Sequence, residues 1–178
     1  MALSFNVNVN LSKLKRFQES LQADLRLSGN GPVREALHEW GAIIARFLTK
    51  RFFIFSLGGG NWKPLKPATL KAKKQKGLLP WILRATDLLF ESFNPVLARK
   101  PGKITEEIPF GVRVGFGPNM RAMRYPGTNT SVAEVATYHQ KGMGNLPVRK
   151  TIVPPDAPTI KEMRDVMAAA VKKSEERS

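Results

Sequence analysis

The chain has 178 residues, 42% apolar and 24% charged, enough for one domain with a real core and ordinary for a soluble globular protein. It contains no cysteine, which excludes disulfides, thiolate metal sites and cysteine nucleophiles. Its formal net charge is +15, and no apolar run is long enough to span a membrane.

The distribution of the charge says more than its size. Between Trp40 and Thr86 there is no Asp or Glu, yet Arg46, Lys50, Arg51, Lys63, Lys66, Lys71, Lys73, Lys74, Lys76 and Arg84 all fall there. A block of one sign faces a polyanion or an acidic surface, or simply keeps a chain in solution.

The N-terminus alternates Leu3, Phe5, Val7 and Val9 with polar residues, which predicts a strand with one buried face. It lacks the basic start and apolar run of a signal peptide, so the chain reads as intracellular when made. Ser12 is placed to cap a first helix, with Leu14, Phe17, Leu21 and Leu25 on its apolar stripe. Pro32 suits the first turn of a second, longer helix carrying Val33, Leu37, Trp40, Ile44, Phe47 and Leu48. This helix ends in Phe52-Phe53-Ile54-Phe55. Four apolar residues in a row cannot share one core face, so the end is either buried on several sides or covered by a second subunit.

Gly58-Gly59-Gly60 stops the helix and opens the stretch Gly60-Asn61-Trp62-Lys63-Pro64-Leu65-Lys66-Pro67-Ala68-Thr69-Leu70-Lys71. Trp62 and Leu65 are expected to pin this loop to the body, and Thr69 to cap a short basic helix from Ala68 to Gln75. The stretch is either a functional loop or a well-packed crossover. Ile82, Leu83, Leu88, Leu89 and Phe93 suggest a compact apolar helix. Strands are then expected at 96–98, 103–108 and 111–116, forming an antiparallel meander. Residues 117–130 read as an exposed, mobile loop, 131–140 as a short helix, and Pro147 to Val153 as a last strand. Ile160, Met163, Val166, Met167, Ala170 and Val171 give the final helix its stripe, with the tail from 172 to 178 fraying.

The residues do not outline an enzyme. His38 and His139 lie apart from any carboxylate cluster that would complete a metal set. Glu106 and Glu107 are neighbours on a strand and point to opposite faces. Asp87 and Glu91 read as a solvated pair on one helix face. The triple glycine lacks the Gly-Lys-Ser/Thr ending of a phosphate loop.

Taken together, Gly60-Asn61-Trp62-Lys63-Pro64-Leu65 with Thr69, Leu70 and Lys71, then Ile82 to Ser92, then Ala136-Thr137-Tyr138-His139-Gln140-Lys141-Gly142 followed by Pro147-Val148-Arg149, resemble the phage virion morphogenesis family, the tail completion proteins of tailed bacteriophages. The family often has Gly where this chain has Asp87, and Tyr-Ala where it has Val135-Ala136. The resemblance implies a structural virion protein at the head–tail junction, built as a homo-oligomeric ring with hexameric symmetry as the family-based expectation. Its partners would be the tail tube and the neck or connector proteins, with genomic DNA passing through the lumen. It implies no enzyme, no cofactor and no membrane. The motif residues Trp62, Pro64, Leu65, Thr69, His139, Gln140, Gly142, Pro147 and Arg149 would then serve assembly, or order an intrachain loop. Lys63, Lys66, Lys71, Lys73, Lys74 and Lys76 would face DNA or an acidic partner. The alternative is a basic, sequence-nonspecific nucleic-acid-binding protein, and a hydrolase with a scattered site is a third.

The fold expected from this reading is one α+β domain over residues 1–178. It has an antiparallel sheet of about four strands packed by helices, with long N-terminal and C-terminal helices.

Overall fold

A computed structural model describes residues 11–24, 31–94, 104–108, 111–116, 118–125 and 127–177. Helix α1 spans Leu11–Asp24, α2 Pro32–Ser56, α3 Pro67–Gln75 and α4 Leu88–Phe93. Strands β1, Thr105–Ile108, and β2, Gly111–Val114, follow. Then come α5, Pro118–Ala122, α6, Val132–Lys141, and α7, Ala157–Glu176. The expected four-stranded α+β sheet is therefore corrected. The described residues are mostly helical, and their only ladder is the β1–β2 hairpin, paired antiparallel from Thr105↔Val114 to Ile108↔Gly111. The strands expected at 3–9 and 96–98 lie outside the described residues.

Helix α2 organises the fold because it takes part in both apolar clusters. Pro32 sits in its first turn, where a missing N–H costs nothing. Its first half buries Val33 and Ala36 against Ala170 of α7, with Leu21 of α1 and Val166 alongside. Its second half buries Leu48 and Phe52 in the main core with Trp62, Ile82, Leu89, Phe93, Ile104, Met120 and Val132. Two hydrogen bonds hold its flanks. Trp40 Nε1 donates to the Met163 carbonyl at 2.7 Å, and Thr49 Oγ1 to the Phe93 carbonyl at 2.7 Å. The Arg46–Glu162 pair at 2.9 Å is half exposed on both sides and contributes little.

The expected helix over 82–93 is shorter than its apolar residues suggest. Leu83 and Asp87 have φ of 58° and 56°, a left-handed backbone that interrupts any helix, so α4 begins only at Leu88. Within the expected loop 117–130 lies α5, whose Met120 is fully buried, and Arg124 bridges to Ser131. Ser131 and Glu134 form a reciprocal capping box that starts α6. The last helix does not stop at Lys172. Asp156 caps it by accepting from the Thr159 N–H at 3.0 Å, and it runs to Glu176 with Ser174 buried.

Candidate functional site

The loop after α2 is held by close packing. Gly58 has φ +91°. A Cβ on Gly60 would lie 2.2 Å from Phe55 Cδ1, so the Phe55 ring occupies the space that only glycine leaves open. Trp62 is 5% exposed and meets Phe52 and Phe55 edge-on, with centroids 5.2 and 5.5 Å away. Leu65 packs half-buried against the same core. Pro67, at the start of α3, follows Lys66, which occupies the N-cap position expected for Thr69.

The segment expected as a last strand, Pro147 to Val153, forms no strand and joins no sheet, with a bend at Ile152. Its polar backbone groups are met one by one instead. Arg149 N–H donates to the His139 carbonyl at 2.7 Å. The Lys150 carbonyl accepts from Arg51 Nη1 at 2.8 Å and Trp62 Nε1 at 3.3 Å. The Gln140 amide then acts as a surrogate strand. Its Oε1 accepts from the Thr151 and Ile152 N–H groups at 2.8 and 3.1 Å, and its Nε2 donates to the Ile152 carbonyl at 2.8 Å. Gly142 ends α6 at φ +69°, and a Cβ there would lie 2.6 Å from Val148 Cγ2.

Between this segment, the loop and α3 lies a cavity of about 740 Å³. Lys63, Lys66, Lys73, Arg149 and His139 line it, together with Pro64, Leu65, Thr69, Leu83, Ala85, Tyr125, Val135 and residues 144–147; none of its lining residues is acidic. Arg149 is buried and its guanidinium donates from Nε and Nη2 to the Lys63 carbonyl at 3.3 and 2.9 Å. The Lys73 ammonium donates to the Leu79 and Trp81 carbonyls at 2.9 and 2.6 Å. Burial lowers the Lys73 pKa and the nearby Arg149 charge lowers it further, while Asp87 opposes both. Burial likewise lowers Arg149. His139 is pushed down to about 4 by burial and by Arg149, so it is neutral at pH 7, and its buried Nδ1 has no hydrogen-bond partner. Burial raises Tyr125 to about 12.

Beside the cavity, Arg84 is buried and grips Asp87 with two hydrogen bonds of 2.7 and 2.8 Å. Its guanidinium also lies over the Phe90 and Trp81 rings, 4.2 and 4.4 Å from their centroids. Asp87 is thus the counterion of Arg84 rather than half of a solvated pair with Glu91.

The structure brings together most of the residues singled out in the sequence. Lys63, Pro64, Leu65, Lys66, Thr69, Lys73, His139, Pro147 and Arg149 share the one cavity, and Trp62, Gln140 and Gly142 hold its walls from behind. Lys71, Lys74 and Lys76 lie outside it, exposed on or just after α3, which buries no residue. Sequence reasoning did not find Leu83, Ala85 and Tyr125 as lining residues, nor the Arg84–Asp87 clamp. An Arg followed three residues later by an Asp is too common a spacing to mark one.

Comparison with protein-family models, with characterised proteins and with solved structures returns no match. Among the described residues no helix is long and apolar enough to cross a membrane, and no group of three His, Asp or Glu is placed to hold a metal.

Proposed function

We propose that the chain is a structural assembly protein of a tailed phage virion, which completes or terminates the tail and joins it to the neck as a homo-oligomeric ring. The tail role follows the motif resemblance, and the observation that supports self-association is the end of α2. Phe52 is buried, but Phe53, Ile54 and Leu57 are 45%, 40% and 47% exposed on the other side of the same turns. Phe53 rests on Phe90 with ring centroids 6.3 Å apart, a contact that limits the freedom its ring would lose on binding. A second, different set of exposed apolar side chains, Tyr138, Met143 and Val148, lies around the end of α6. Two unlike surfaces suit a head-to-tail contact between copies, the kind that closes into a ring.

Sedimentation of the purified chain tests it, alone and with tail tubes. The wild type is expected to form a closed oligomer in at least the second case, and F53E/L57E to stay monomeric while keeping its helical circular dichroism. A wild type that remains monomeric with tubes present contradicts the reading. The free chain staying monomeric does not, since a terminator waits for a finished tube.

The exposure of Lys71, Lys74 and Lys76 favours a second reading, sequence-nonspecific nucleic-acid binding. Such binding would be blind to sequence and would weaken steeply with salt as counterions are released.

A further inference from the structure

Among the described residues, four cations and no acid line the cavity between the central loop and the 147–151 segment. Lys73 and Arg149 approach closely enough that the Arg149 charge depresses the Lys73 ammonium. Both are at least half-buried, and both direct their donors to backbone carbonyls. Lys63 and Lys66 add two exposed cations at the mouth. Asp87 is the acid that Lys73 senses, but Arg84 engages both of its oxygens. Like charges held together in a partly desolvated site repel, and an anion entering the site relieves that repulsion.

The rest of the lining narrows the kind of anion. The apolar wall of Leu65, Leu83, Val135 and Pro147 contributes nothing to a free phosphate. Tyr125 is half-buried, and no exposed aromatic face lines the cavity on which bases would stack. Carboxylates interspersed with aliphatic side chains match both components. A second copy of this chain is a poor source of them, because it carries 29 basic against 14 acidic residues.

We propose that this cavity is a docking site for an acidic, aliphatic-containing peptide segment of a different protein. Its carboxylates would sit against Lys63, Lys66, Lys73 and Arg149, and its apolar side chains on the Leu65–Leu83–Val135 wall.

The experiment is fluorescence anisotropy of the full chain with a labelled peptide of alternating glutamate and leucine. The controls are its glutamine–leucine counterpart, inorganic phosphate and single-stranded oligothymidine as competitors. Two charge-reversal variants with the same net charge are compared. K63E/K66E changes the mouth of the cavity, and K71E/K74E changes exposed α3 residues outside it. The acidic peptide is expected to bind and the glutamine version not to bind. K63E/K66E should weaken binding by about tenfold or more, and K71E/K74E by no more than about twofold. T69W, at an exposed rim position, should obstruct the mouth and weaken binding with no change of charge.

Equal losses in the two double variants would show that net charge alone attracts the peptide, and would overturn the proposal. So would phosphate or oligothymidine competing as well as unlabelled peptide, or no peptide binding at low salt. None of these variants touches Phe53, Ile54 or Leu57, so failure here is distinguishable from failure of ring assembly.

Discussion

Arg149 and Lys63 are joined across 86 residues of sequence: the Arg149 guanidinium donates to the Lys63 main-chain carbonyl from two nitrogens, at 2.9 and 3.3 Å. This contact ties the loop after α2 to the segment after α6 and forms the floor of the cationic cavity. Replacing Arg149 with Met removes both donors from a buried site and leaves the carbonyl without them. A loss of about 1–3 kcal/mol in urea unfolding is expected. A loss below about 0.5 kcal/mol, the size of an ordinary surface change, would show that the contact is incidental.

Neighbouring basic and aromatic residues should behave differently. Trp62→Ala empties a site lined by Phe52 and Phe55 and should cost about 3–5 kcal/mol. Lys71→Gln and Lys74→Gln, both exposed, should each stay within about 0.5 kcal/mol. Lys73→Gln stands apart from them. It gives up charge-assisted bonds to the Leu79 and Trp81 carbonyls, for an expected loss of about 1–3 kcal/mol. Thermal or urea unfolding of the four single variants gives the ranking. Equal behaviour of Lys71 and Lys73 would refute the distinction.

Gln140→Ala deletes the surrogate strand partner of Thr151 and Ile152. Three backbone groups lose a hydrogen bond at once, so the expected cost of about 2–4 kcal/mol exceeds that of an ordinary polar substitution. Hydrogen exchange should show the Thr151 and Ile152 amides losing protection first. Unchanged protection there would mean that the segment is held by other contacts.

These three cases show why some of the structure was legible in the sequence and some was not. The stripe of α2, the stop at Gly58 and the anchoring of Trp62 follow from local spacing and size. Residues 147–153 read as a strand, but the backbone partner turned out to be a glutamine side chain and a helix end, which no local pattern encodes. The helix expected over 82–93 was shortened by left-handed Leu83 and Asp87, residues whose types do not advertise that conformation. The motif residues were recognised as a set, yet their convergence on one cavity depends on contacts between distant segments. The difference between Lys73 and its exposed neighbours likewise rests on where the 79–81 loop folds back.

His139 makes stability depend on pH. Its folded-state pKa of about 4 lies below the ordinary value of 6.5, so the unfolded chain binds the extra proton first. Its contribution is fully present above pH 6.5 and is lost as pH falls from there toward about 4. Glu134 and Asp156, held below the usual carboxylate range by hydrogen bonds with Ser131 and Thr159, lose their contribution only at lower pH. Melting temperature should therefore fall between pH 6.5 and 4.5, and His139→Gln should flatten that slope. An identical slope in the variant would show that His139 is not the group responsible.

The claim that this is a ring-forming assembly protein is tested most directly by electron microscopy of the purified chain mixed with isolated phage tail tubes. The expected image is a ring of uniform diameter capping one end of each tube, absent when F53E/L57E replaces the wild type. Tube ends that stay bare with the folded wild-type chain in excess would contradict it.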